Sequence, residues 1–249
     1  MSCLFCGSFG PMSREHVLPK WFGPLFPDFR EVDYVRAFQR TGDERINHLR
    51  PGMAFDQTVR HFCLECNNGW MSRLEEQAKP ALESLVLDEE RSISAVEQLT
   101  IATWMTKTIL TLGPAMLEEG REFVTEETYR WFGEHRMPLP GSICWLGRYT
   151  GGEEWPISFH FHGIQFYPED QERPQVVGST NGFHAVLAIG NLALCLFYCS
   201  IPEGGLADGF SSDHRALIWP ATGADVWWPP KSSFDGVEAL RLASQEVPT

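Results

Sequence analysis

Cys63-Leu64-Glu65-Cys66-Asn67-Asn68-Gly69-Trp70 decides the fold, because it has a counterpart in Cys3-Leu4-Phe5-Cys6 near the start of the chain. Two Cys-x-x-Cys pairs supply four thiolates, the ligand set of a closed tetrahedral zinc site. Two-residue spacing lets both sulfurs of a knuckle face one ion, while Gly7 and Asn67 supply the turns. The other reading, two coincidental pairs with one redox-active, would need a thioredoxin-like strand and helix nearby, and none is visible. Because four sulfurs leave no open position for substrate, zinc on Cys3, Cys6, Cys63 and Cys66 would be structural.

Between the pairs the chain is punctuated by Gly10, Pro11, Pro19, Gly23, Pro24, Pro27, Gly42, Pro51 and Gly52, so long regular elements are not expected before residue 66. A segment of this kind needs something other than a core to hold it, and a metal would serve. After Cys66, Met71, Leu74, Ala78, Leu82 and Leu85 recur at helical spacing and predict a helix over 69–87, broken or kinked at Pro80. Ser94-Ala95-Val96-Glu97 has the form of a capping box and opens a second helix, 95–112, that Gly113-Pro114 should stop. Thr125-Glu126-Glu127 opens a shorter one reaching Glu134.

Beyond Pro140 the residues turn to strand formers. Segments 143–149, 157–167, 183–189, 192–200 and 214–219 are rich in Ile, Phe, Tyr and Trp, and Gly190-Asn191 reads as a tight hairpin turn between two of them. A short helix or a loose tail is expected over 237–243. The fold class is therefore α+β, divided into an N-terminal zinc module over 1–80 and a region of helices and antiparallel sheet over 81–249.

The 249 residues carry a formal charge of -13, unevenly spread. Up to Lys79 there are 10 basic and 10 acidic residues, and the remaining 10 basic and 23 acidic ones hold the whole excess. That balance excludes sequence-blind coating of nucleic acid, which draws its affinity from neutralising phosphates, but leaves room for a local site. The longest apolar run, around Phe183 to Tyr198, is interrupted by Gly190 and Asn191, so no membrane span is expected. Neither a basic start nor a long apolar segment of a secretion signal opens the chain, and the paired cysteines suit an intracellular metal protein; a cytoplasmic location follows as an expectation.

Between the two knuckles stands Glu15-His16-Val17-Leu18-Pro19. A first Cys-x-x-Cys, an acidic residue with His followed by an apolar residue and Pro, and a second Cys-x-x-Cys followed directly by Asn together resemble the HNH endonuclease superfamily, in its zinc-stapled ββα-metal or treble-clef branch. The resemblance covers residues 1–80. It implies a metal-dependent endonuclease that hydrolyses phosphodiesters, DNA ahead of RNA, with Mg²⁺ or Mn²⁺ as catalytic cation, in bacterial or phage defence or DNA processing. Carried over from the family, His16 would be the general base, Glu15 a ligand of that cation and Asn67 its second ligand. The family's middle residue, which orients the base, is matched by Asn47 or by Asp56, and His48 and His61 are further candidate ligands.

The chemistry is coherent without the name. A metal-assisted phosphodiesterase needs a hard cation on oxygen or imidazole ligands and a neutral base aimed at a water. On a strand, Glu15 and His16 would point to opposite sides unless a loop brings both to one cavity. Asn67 is also a natural helix cap.

Arg30, Arg36, Arg40, Arg45, Arg50 and Arg60 are interleaved with Phe29, Tyr34, Phe38 and Phe55, which reads equally as a nucleic-acid path or as a solvated face paired with neighbouring acids. His160 and His162 share a strand face and, with His184 and His214, form either a ligand site or polar and core positions of the sheet. Cys144, Cys195 and Cys199 read as buried thiols, and Trp219, Trp227 and Trp228 as core or interface. The region after residue 80 would restrict substrate, bind a regulatory partner or form a homo-oligomer. A reading of another class is a catalytically inactive zinc-binding module acting in nucleic-acid or protein binding.

Overall fold

The computed structural model describes residues 1–27, 35–40, 43–48, 55–116, 124–151, 157–164, 182–200 and 213–236. The fold is mixed helix and sheet. Strand β1 (Glu15–His16) pairs antiparallel with β4 (Thr58–Val59), and the hairpin of β2 (Val35–Arg40) and β3 (Asp43–His48) lies between them in sequence. The second knuckle then opens α1 (Leu64–Cys66), a π-type turn over Asn67–Met71, and α2 (Ser72–Val86). The expected break at Pro80 is absent, and α2 runs through it. A proline inside a helix costs about 3 kcal/mol; here Leu74, Ala78, Ala81, Leu82, Leu85 and Val86 form a continuous buried face that outweighs it. The kink falls earlier, at Gly69.

A short strand, β5 (Arg91–Ile93), leads into α3 (Ala95–Met116). Its start is the capping box read from sequence: the Ser94 N–H donates to Glu97 Oε2 at 3.0 Å, and the Glu97 N–H to Ser94 Oγ at 3.4 Å. Its end is not where expected, since the helix passes through Gly113-Pro114 to Met116. Two features allow this. Glycine has no Cβ to meet the proline ring, which removes much of the usual clash before proline. Pro114 has no N–H for the Leu110 carbonyl, and the Tyr129 hydroxyl donates to that carbonyl instead, at 3.1 Å.

Residues Ile101 to Leu112 are buried all round, so the threonines of α3 need internal partners. Thr103, Thr106 and Thr111 each donate to the carbonyl four residues back. Helix α4 (Glu126–His135) is capped by Thr125, whose Oγ accepts from the Thr128 N–H.

The second half is a sheet of β6 (Ser142–Tyr149), β7 (Ile157–Ile164), β8 (Gly182–Ile189), β9 (Leu192–Cys199) and β10 (Arg215–Trp219), in the order β10-β6-β9-β8-β7 and antiparallel throughout. The last strand, β12 (Ser233–Phe234), adds to β6 in parallel, while β11 (Val226–Trp228) pairs with β5. Alternation sorts the side chains. On β9, Leu192, Leu194 and Leu196 face the helices, while Ala193, Cys195, Phe197 and Cys199 join Trp145, Tyr149 and Phe234 on the other face. Gly190 makes the tight turn before β9 with a φ of 56°. The region around 237–243 lies outside the described residues.

The division drawn at residue 80 falls inside α2, and one hydrophobic cluster runs from Cys3 and Phe5 through α2 and α3 to Leu196. The first knuckle docks on α4: Phe5 packs on Phe62, Trp70 and Phe132, and the Arg130 guanidinium donates to the Cys3 carbonyl. That approach requires Gly133, where a Cβ would come within 2.4 Å of the Phe5 carbonyl oxygen. Among the described residues no helix is long and apolar enough to cross a membrane.

Replacing Tyr129 with Phe strands the Leu110 carbonyl next to Pro114. Urea unfolding of Tyr129→Phe is expected to show a loss of about 1–3 kcal/mol; a change within about 0.5 kcal/mol would mean the helix end does not depend on this bond.

Candidate metal centre and the buried ion triad

The four knuckle cysteines converge, with their sulfurs all within 4.8 Å of one another. Local turns place them. The Gly7 N–H donates to the Cys3 carbonyl, with Gly7 in the left-handed region at a φ of 79°. Cys63 caps α1, its sulfur accepting from the Cys66 N–H at 3.5 Å. The Cys6 and Cys63 sulfurs are 3.6 Å apart, close to the edge of about 3.8 Å in a tetrahedron with zinc–sulfur bonds of about 2.3 Å. A hydrogen bond from Cys66 lowers Cys3 to about 4 and pushes Cys66 up. Four sulfurs this close are a donor set that fits zinc. Cys3, Cys63 and Cys66 are buried while Cys6 is exposed. Among the described residues this is the only group of three or more His, Cys, Asp or Glu side chains able to hold an ion.

Strand β1 separates the Glu15-His16 pair as alternation requires, with Glu15 opposite Val59 and His16 opposite Thr58. Glu15 turns inward and is 4% exposed, whereas His16 is half-buried. Glu15 meets a cation there that the sequence reading missed: the fully buried Lys107 of α3. Its Nζ lies 3.6 Å from Glu15 Oε1 and 2.6 Å from Glu75 Oε1 on α2. Burial raises the Glu15 carboxyl to about 7, with Lys107 pulling it back and Glu75 pushing it further up. Burial alone would lower Lys107, but the charges of Glu75 and Glu15 outweigh it and hold its pKa above the usual lysine value. The signal was available, since Lys107 is the only charged residue between Gln98 and Gly113. A lone lysine in a helix buried all round must find a partner.

His16 lies below its ordinary value, from burial and then from the Lys20 charge, with Asp56 and Glu75 acting in the opposite sense. It is therefore neutral at pH 7. Asp56, one of the two candidates for the middle position, thus has its charge near His16. The backbone of Asn47 faces Arg36 in the β2–β3 hairpin. Asn67 occupies the first turn after the second knuckle, half-buried. Among the described residues no hydrogen bond joins the side chains of Glu15, His16 and Asn67 to one another.

Of the other candidates, Arg30, Arg50, Phe29 and Tyr34 lie outside the described residues, and Arg36, Arg40, Arg45 and His48 are described only as backbone of β2 and β3. His61 accepts the Leu4 N–H on its carbonyl, bracing the first knuckle. His160 pairs with Ser158 at 3.0 Å, and His184 is wholly buried against Trp145. The His162 backbone lies opposite His184. Cys144, Cys195 and Cys199 are buried. Trp228 is core, while Trp227 is exposed.

Comparison with protein-family models, curated proteins and solved structures returns no match for this chain.

Two outcomes follow from this geometry. Metal analysis should find one zinc per chain, lost with the N-terminal fold in Cys63→Ser and kept in Cys195→Ser; retention of zinc by Cys63→Ser would contradict the site. Lys107→Met leaves two carboxylates unpaired and is expected to cost about 3–5 kcal/mol in urea unfolding. Adding Glu15→Gln should recover part of that loss, and a Lys107→Met chain as stable as wild type would show that the triad carries no stability.

Proposed function

We propose that residues 1–80 form a zinc-stapled ββα-metal module of the treble-clef kind, and that the chain hydrolyses phosphodiester bonds, DNA ahead of RNA, with one divalent cation. The observation that carries this reading is order in space. Two cysteine pairs meet in one cluster, the Glu15-His16 strand pairs with β4 between them, and the helix run follows directly from the second pair.

The chemistry suits the residues. Neutral, half-exposed His16 accepts a proton from an attacking water. Glu15, with Glu75 beside it and Asn67 at the start of the helix run, provides the hard oxygen donors that Mg²⁺ or Mn²⁺ prefers. The space around Glu15 already favours positive charge, as Lys107 demonstrates. A divalent cation bound there supplies Lewis-acid stabilisation of the phosphate and of the departing oxygen. Asp56 helps to orient His16. The C-terminal sheet restricts substrate or binds a partner or second copy, and the unbridged cysteines suit a reducing cytoplasm.

One observation favours a second reading. Glu15 is buried and engaged by Lys107, as a purely structural carboxylate would be, which fits an inactive zinc-binding module acting in nucleic-acid or protein binding.

Purified zinc-loaded chain with added Mg²⁺ or Mn²⁺ is expected to nick plasmid DNA. His16→Ala should lower the rate by about 100-fold or more while keeping one zinc per chain. Equal background cleavage by wild type and His16→Ala across both metals, on DNA and RNA, selects the inactive reading.

A further inference from the structure

A cleft of about 180 Å³ opens where the start of α2 and the end of α4 meet over α3, lined by Trp70, Arg73, Leu74, Gln77, Thr103 and Arg136. Its floor is Trp70, Leu74 and Thr103, all buried, and its rim is Arg73, Gln77 and Arg136, all exposed. The Thr103 hydroxyl is committed to the Leu99 carbonyl. No acidic residue lines the cleft. In a chain with 33 acidic residues against 20 basic ones, two arginines without an acid between them make a distinct patch.

Neither arginine has an ion-pair partner among the described residues. Arg136 is held in place twice over. Its guanidinium lies over the Trp70 ring at 5.6 Å, and its backbone takes the left-handed conformation, φ 53° and ψ 46°, with the N–H bonded to the Phe132 carbonyl. A cation–π contact of this kind draws on the ring face and leaves the guanidinium N–H groups free to donate. Arg73 and Gln77 are one turn apart on α2, so both reach the same mouth.

We infer that this cleft binds a phosphate ester, with Arg73 and Arg136 donating in-plane to its oxygens and the Gln77 amide adding a neutral donor. Two planar forks with five N–H donors each match a tetrahedral oxyanion, and the absence of a lining carboxylate removes the internal competitor. The site is separate from the Glu15–Lys107–Glu75 triad. Arg73 and Glu75 are two residues apart on one helix, about 200° around its axis, so the cleft opens on the other flank of α2. Binding here therefore does not depend on the nuclease reading. The chain's overall negative charge repels broad polyanion contact, and the cleft supplies one local point of attraction.

The phosphate can come from a nucleotide end or from an internal backbone position. Calorimetric titration of the zinc-loaded full chain, without added Mg²⁺ or Mn²⁺, separates them, using a nucleoside monophosphate and short single-stranded oligonucleotides with 5′-phosphate or 5′-hydroxyl. Binding of the monophosphate and the 5′-phosphorylated strand alone supports a monoester end site. Equal binding of both strands, tighter than the monophosphate, supports a backbone site. In either case Arg73→Ala and Arg136→Ala should each weaken binding by about tenfold or more, and Arg136→Lys by a similar factor, with zinc content and melting temperature unchanged. Lys231→Ala, an exposed cation elsewhere, should bind as wild type. Absence of binding by every probe at millimolar concentration, or wild-type affinity in the Arg73→Ala, Arg136→Ala double variant, overturns the assignment.

Discussion

Four sulfurs within 4.8 Å of one another cannot all be thiolates unless a cation sits among them. That constraint organises the N-terminal part of the fold. The segment between the knuckles is rich in glycine and proline, which break regular elements, yet β1 lies against β4 and the helix run starts at Cys63. Joining Cys3 and Cys6 to Cys63 and Cys66 achieves both, because the strand pair is strung between the two knuckles. The first knuckle is also tied from outside, by the Phe5 ring cluster, by Arg130 and by the contact at Gly133.

The second organising feature is Lys107. It comes from a helix that belongs to the second half of the chain by sequence, yet its ammonium joins β1 to α2 inside the first half. One hydrophobic cluster also joins the two parts among the described residues. Glu15 and His16 are thereby given different environments one residue apart: a buried carboxylate raised to about 7 beside a cation, and a half-exposed imidazole held below its usual value. Burial is the largest cause of both shifts, since it disfavours the charged form of each group.

Much of the architecture was legible from residue order. The cysteine spacing located the four-sulfur cluster, the Ser94 capping box located the start of α3, and strand-forming residues between turn signals located all five main strands. Less legible were events decided by distant partners. Nothing near Pro114 announces that Tyr129 will satisfy the carbonyl it leaves open, so the helix was expected to stop too soon. Pro80 was read by its local cost, whereas the buried face of α2 outweighs it. At the candidate site, the Glu15-His16 pair was found by local pattern. Its partners Lys107 and Glu75 were not, because the sequence shows that a lone lysine needs a carboxylate but not which one.

The proposed chemistry rests on a second metal site, for a divalent cation, at Glu15 beside His16. Anomalous diffraction from crystals of the zinc-loaded chain soaked in Mn²⁺ tests it directly. The expected result is a zinc peak among the four sulfurs and a separate manganese peak at the Glu15 carboxylate, with the Lys107 ammonium moved aside. A zinc peak alone, with Lys107 still bridging Glu15 and Glu75, would contradict it and leave Glu15 a structural residue.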